Sequence, residues 1–140
     1  MSEQDNKALM RRVIDLINRR ELDEAFDLYV TDYRYHGPGG QELRGRDGIR
    51  GLWVVFLEAF PDLQASIDGM VAEGNMLALR WTVRGTQTGE FQGIAPTGRR
   101  MALPITEVFR IVEGRLAEAW DYYDRLHLLE QIDATQARMS

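Results

Sequence analysis

The stretch Arg99-Arg-Met-Ala-Leu-Pro-Ile-Thr-Glu-Val-Phe-Arg-Ile-Val-Glu-Gly-Arg-Leu-Ala-Glu-Ala-Trp-Asp-Tyr-Tyr123 decides the fold. Met101, Leu103, Ile105, Phe109 and Ile111 fall on one face of an extended chain, Glu113-Gly114 provides a two-residue turn, and Arg115 to Tyr123 runs back as a partner strand. One carboxylate, Glu107, interrupts that apolar face. It needs compensation: either it is a structural partner of Arg80 or Arg84 on a neighbouring strand, or it is a functional acid whose pKa burial raises.

Across the turn, Asp121 shares a face with Ala117, Ala119 and Tyr123, small neighbours that leave room for a ligand. A plain two-residue turn sets Thr106 opposite Asp121, whereas one bulged residue sets Glu107 there. If the two carboxylates meet, like-charge repulsion lifts one pKa and creates an acid or base usable near neutral pH.

Working outward, Leu63 to Glu73 and Met76 to Thr86 read as two more strands joined by Gly74-Asn75, with Leu77, Leu79, Trp81 and Val83 on one face. Gln87 to Gly98 carries three glycines and a proline and reads as a loop. Before Pro61 the period is helical. Leu9, Met10, Val13, Ile14, Leu16 and Ile17 mark a helix from Ser2 to Arg19, with Ser2 and Asp5 as its capping box. A shorter helix is expected from Glu21 to Tyr29, a turn at Thr31-Asp32, and a brief strand from Tyr33 to His36 stopped by Gly37-Pro38-Gly39-Gly40. Asp47 is the expected N-cap of a third helix from Gly48 to Phe60.

The expected architecture is therefore α+β in one domain over residues 1–140: 1–60 mainly helical, 61–125 antiparallel strands, and 126–140 a short helix and fraying tail. A curved sheet wrapped over the N-terminal helices makes a cone-shaped α+β barrel with an internal pocket.

Composition narrows the chemistry. The 140 residues contain no cysteine, two histidines, and 17 Lys and Arg against 22 Asp and Glu. Disulfide scaffolds, thiolate nucleophiles and Cys-based metal sites are excluded, and neither histidine has a partner at ligand spacing, so no metal is expected. Scattered basic residues and a net charge of −5 argue against nucleic acid. The absence of a signal-like start or a long apolar run argues for a cytoplasmic protein without a membrane partner.

Other residues qualify as parts of a site. His36, at the junction of a strand and a Gly-Pro loop, is placed to shuttle a proton at the cavity mouth or to serve as an ordinary surface histidine. Asp124, followed by Arg125-Leu126, either contacts substrate or caps a final helix. Tyr33, Tyr35, Trp53, Phe56, Phe60, Trp81, Trp120 and Met101 are candidate walls, and Arg80, Tyr33 or His36 a candidate donor to a developing negative charge.

Three segments together resemble the SnoaL-like polyketide cyclase family, which belongs to the nuclear transport factor 2-like superfamily along with ketosteroid isomerase. They are Arg80-Trp-Thr-Val-Arg-Gly-Thr-Gln-Thr-Gly-Glu-Phe-Gln-Gly-Ile-Ala-Pro-Thr-Gly98, Phe109-Arg-Ile-Val-Glu-Gly-Arg-Leu-Ala-Glu-Ala-Trp-Asp-Tyr-Tyr-Asp124 and Leu128-Leu-Glu-Gln131. The resemblance implies the same cone, a small-molecule pocket and a homodimer through the open sheet face. It also implies an aspartate, here Asp121, acting as acid/base in an aldol closure without cofactor. Where family cyclases carry a histidine, this chain has Glu107, and the loop that often reads Thr-His-Thr has Gln87. The expected function is thus a cyclase, or an isomerase- or lyase-like enzyme, acting through Asp121 and Glu107 on a ketone-containing aromatic or polycyclic substrate. The alternatives are an epoxide hydrolase or dehydratase, for which Arg80 would cluster with both carboxylates, or a non-catalytic binding or dimerisation module.

Overall fold

A computed structural model describes residues 2–133. The tail expected to fray lies outside the described residues from 134 onward. Helix α1 (Glu3–Asn18) begins at the Ser2–Asp5 capping box, both of whose hydrogen bonds are 3.0 Å. Its apolar stripe faces the core: Met10, Val13, Leu16 and Ile17 are almost wholly buried. Both ends of α1 are pinned to the sheet edge. At one, Asn6 and Glu3 bond the Gly74 backbone; at the other, the Asn18 amide both donates to and accepts from the Ala65 backbone at 2.8 Å.

Helix α2 is a single turn (Leu22–Phe26), and strand β1 runs Tyr29–His36. The structure corrects the expected helix to Tyr29 and the expected turn at Thr31-Asp32. The Leu28 carbonyl is taken by the Leu116 N–H at 2.8 Å and the Tyr29 carbonyl by Arg46 Nε at 2.9 Å, so both join sheet and loop bonding instead of a helix. The Thr-Asp pair lies in a bulge within one strand. After a 3-10 turn at Pro38–Gly40 comes a short strand, β2 (Glu42–Arg44), that sequence alone did not suggest. The chain then reverses at Gly45, whose φ of 77° favours glycine, so helix α3 (Gly45–Ala59) starts three residues early and Asp47 lies in its first turn instead of capping it.

Strands β3 (Gln64–Glu73), β4 (Met76–Thr86), β5 (Arg100–Val112) and β6 (Arg115–Tyr122) follow, then helix α4 (Arg125–Ile132). The sheet order is β2-β1-β6-β5-β4-β3, antiparallel except where β1 runs parallel to β6. The curved sheet does not close. Helix α1 packs against β3 and α3 against β1 and β2, so the space between the two edges is filled by helix. No described helix is long and apolar enough to cross a membrane.

The loop 87–98 is held from within. Gln87, fully buried, donates to the Ile94 and Ala95 carbonyls and accepts from Thr97, while Phe91 packs on Phe56 and Phe60. Thr88 and Gly89 both donate to the Ala59 carbonyl that ends α3, and a Cβ on Gly89 would stand 2.1 Å from the Glu58 carbonyl oxygen.

That clash is with backbone and cannot be relieved by a side-chain shift, so Gly89→Ala is expected to lower stability by about 2 kcal/mol or more. Gly51 lies in α3 where an added methyl group would meet nothing within 4 Å. Gly51→Ala is expected to raise stability by about 1 kcal/mol through helix propensity. Urea unfolding of the two variants measures both.

Candidate active site

The inner faces of β5 and β6 bring Glu107 and Asp121 directly opposite one another. The pairing begins at Val112 and Arg115 in the two-residue-turn register, then slips between Arg110 and Ile111, so that Ala117 is the extra residue and every later pair is shifted by one. Of the two registers compatible with the sequence, the bulged one is formed.

Both carboxylates are buried, Glu107 at 5 % and Asp121 at 7 % exposure. Among the described residues, no Lys, Arg or His lines their cavity. Arg80 and Arg84, the partners weighed for Glu107, point outward from β4, and Arg84 bonds Ser66 instead. Burial, and then the charge on Asp121, pushes the Glu107 pKa well above the ordinary carboxylate range. Burial also raises Asp121, to about 6, while a hydrogen bond from Tyr35 restrains the rise. The Tyr35 hydroxyl donates to Asp121 Oδ2 at 2.5 Å, and Oδ1 is buried with no partner. Burial and the facing charge thus push Glu107 toward its protonated form, while Asp121 alone of the two has a hydrogen bond from Tyr35 that favours its ionised form.

Tyrosines and tryptophans complete the wall. Tyr29 and Tyr33 meet edge to face at 4.7 Å, and Trp53 leans on Trp81 at 5.8 Å. Burial raises the pKa of Tyr29, Tyr33 and Tyr35, and that of Tyr123 to about 12, so these phenols stay neutral donors. The free volume of the cavity is about 50 Å³, room for a few water molecules, within a cleft of about 610 Å³ when the opening to solvent is included.

Tyr33, Trp53 and Phe56 line this cavity together with the two acids. Phe60 is fully buried behind Phe56, and Met101 is buried at an outer groove beside Arg84 and Gly85. Arg80 opens onto the outer face with Asp68 and Thr106. Asp124 caps α4, accepting from the His127 N–H at 3.0 Å. His36 does not reach the cavity: strand alternation turns Tyr35 inward and His36 outward, where it stacks on Trp120 between Glu42 and Glu118 at 2.6 and 2.7 Å. Those two carboxylates raise its pKa. Two cavity residues go beyond the sequence reading: Tyr35, expected only as a wall, bonds the acid itself, and Tyr29, expected in a helix, lines the pocket from β1. Among the described residues no group of three or more His, Cys, Asp or Glu could hold a metal ion.

A family model described as SnoaL-like polyketide cyclase matches residues 7–132. The aklanonic acid methyl ester cyclase DauD of Streptomyces sp. strain C5 is 24 % identical over 128 residues, 89 % of this chain and 79 % of that one. Among solved structures, AclR of Streptomyces galilaeus, a proposed hydroxylase, is 33 % identical with a TM-score of 0.83, covering 91 % of this chain and 95 % of that one. IdmH of Streptomyces antibioticus, a proposed polyketide cyclase, is 29 % identical with a TM-score of 0.80, covering 89 % and 96 %.

A carboxyl group whose folded pKa is raised stabilises fully below its unfolded pKa and loses that contribution as pH rises through the folded value. Glu107→Gln is therefore expected to raise the melting temperature at pH 8 and to change it little at pH 4. A fall at pH 8 in thermal unfolding would mean that Glu107 is a structural ion-pair partner.

Proposed function

Since the chain belongs to the SnoaL-like polyketide cyclase family, we propose that it closes a ring in a neutral, ketone-bearing aromatic or polycyclic molecule, with Asp121 as base and Glu107 as acid. The observation that carries this reading is the facing carboxylate pair in a cavity lined by no cationic side chain among the described residues. Such a pair holds one ionised and one protonated member at the pH where proton transfer from carbon needs both.

The step balances on the chain's own residues. Asp121 Oδ1, free because Tyr35 occupies Oδ2, takes the proton from a carbon next to a carbonyl. The C–H electron pair becomes the enolate C=C bond and the carbonyl π pair moves onto oxygen. The enolate carbon attacks a second carbonyl carbon of the same molecule, and the new alkoxide takes a proton from Glu107. The proton on Asp121 passes to Glu107, which restores both groups.

The same electrostatics favours an ester over a free acid, because a substrate carboxylate would meet two acidic groups and no cation. The methyl ester on which DauD acts agrees with that preference. An epoxide hydrolase arrangement is not supported, since Arg80 lies on the other face of the sheet from Glu107 and Asp121. One observation favours a second reading, a binding or dimerisation module: the free volume of the cavity is only about 50 Å³, small for a bicyclic ligand.

Consumption of aklanonic acid methyl ester, followed by chromatography, separates the readings. Asp121→Asn is expected to slow it about 10³-fold with the fold intact, and no slowing would leave only the binding module. In the wild type the rate is expected to rise through about pH 6 as Asp121 ionises. Tyr35→Phe removes the bond that restrains that pKa, so the acidic limb of the pH–rate profile is expected to move upward.

A further inference from the structure

We propose that the indole N–H of Trp81 is the donor that receives the enolate oxygen when Asp121 takes the neighbouring carbon's proton. The inference rests on the acid/base reading above and names the group which that reading lacks. Of the three donors suggested by sequence, Arg80 and His36 face outward and only Tyr33 lines the cavity.

Trp81 is 4 % exposed and lines the same cavity as Glu107 and Asp121. In the sheet, Leu79 stands opposite Glu107 and Trp81 opposite Ile105, so Trp81 occupies the inward position diagonal to Glu107. Its Nε1 is buried and no acceptor among the described residues receives its hydrogen. Asp121 Oδ1 is the matching orphan acceptor of the same cavity. Buried polar groups in folded proteins are overwhelmingly paired, so an unpaired donor and an unpaired acceptor on two residues that line one cavity point to what completes it. The complement is a neutral group that offers an oxygen acceptor beside an acidic C–H, which is an enolisable ketone.

The indole suits this role better than the neighbouring phenol. A hydroxyl rotates and either donates or accepts, whereas an indole N–H only donates, along one direction fixed by its ring. The Trp81 ring is held against Trp53. During the step Asp121 Oδ1 gains the proton, the C–H pair forms the enolate double bond, and charge collects on the oxygen that Trp81 faces. Trp81 keeps its own hydrogen throughout.

The test uses the full chain with Trp81 replaced by β-(3-benzothienyl)alanine, which keeps the bicyclic shape and puts sulfur in place of N–H. Trp81→Phe and Tyr33→Phe accompany it. The benzothienyl variant is expected to keep its melting temperature and to lose about a hundredfold in kcat/KM for aklanonic acid methyl ester. In the unsubstituted chain, the Trp81 indole proton is expected to move downfield in 15N-resolved spectra on addition of 2-naphthol, a planar mimic of an enolate. Full kcat/KM in the benzothienyl variant would overturn the proposal, as would a loss confined to Tyr33→Phe, or naphthol binding that shifts Trp53 and leaves Trp81 still. Each of these leaves the role of Asp121 standing if Asp121→Asn remains slow. Unimpaired turnover by Asp121→Asn, or no response of any indole to naphthol, sinks both.

Discussion

Two carboxyl groups face each other across adjacent strands in a cavity that no Lys, Arg or His among the described residues lines, and this shapes the rest of the molecule. Left ionised together they would repel in a poor dielectric, which together with burial drives Glu107 toward its protonated form. Tyr35 favours the ionised form of Asp121, because its hydroxyl bonds that member of the pair. The surrounding rings keep water scarce, which sharpens each of these effects. The arrangement destabilises the folded chain above the acid range, a cost usual for sites whose chemistry requires perturbed acids.

The bulge at Ala117 makes this meeting possible within a hairpin whose turn is the shortest common kind. Upstream of it the pairing follows the turn, and downstream it follows the site. Parallel pairing of β1 with β6 then brings Tyr35 alongside Ala119, two residues from Asp121, so that a strand from the helical half reaches the acid pair. The loop 87–98, closed on Gln87 and anchored to the end of α3, holds Phe91 against Phe56 and fixes one wall of the cavity.

Much of this was legible in the residues. The change from helical to twofold periodicity at Pro61 separates helices from sheet, and Glu107 stands out because its five inward neighbours on the strand are apolar. The register was not legible. A bulge depends on how a strand bends over its core, and Ala117-Glu118-Ala119 carries no side chain that demands one. Tyr29 was hidden because a one-turn helix and a strand start share the same apolar spacing around it. The outward placing of Arg80 and His36 was available and unused: each sits one residue from an inward aromatic, Trp81 and Tyr35, and alternation alone turns it away from the cavity.

The twin hydrogen bonds between the Asn18 amide and the Ala65 backbone have a consequence beyond holding α1 in place. A side-chain amide offers the same donor and acceptor as a peptide group, so Asn18 acts as a one-residue surrogate strand on the outer side of β3. An unprotected edge of ten residues invites another chain to extend the sheet. Here that invitation is already answered from within, at its N-terminal end by Asn18 and at its C-terminal end by Glu3 on the Gly74 amide. The opposite edge, β2, is only three residues long. At those two positions β3 has no free backbone group to offer another chain, and β2 has few to offer.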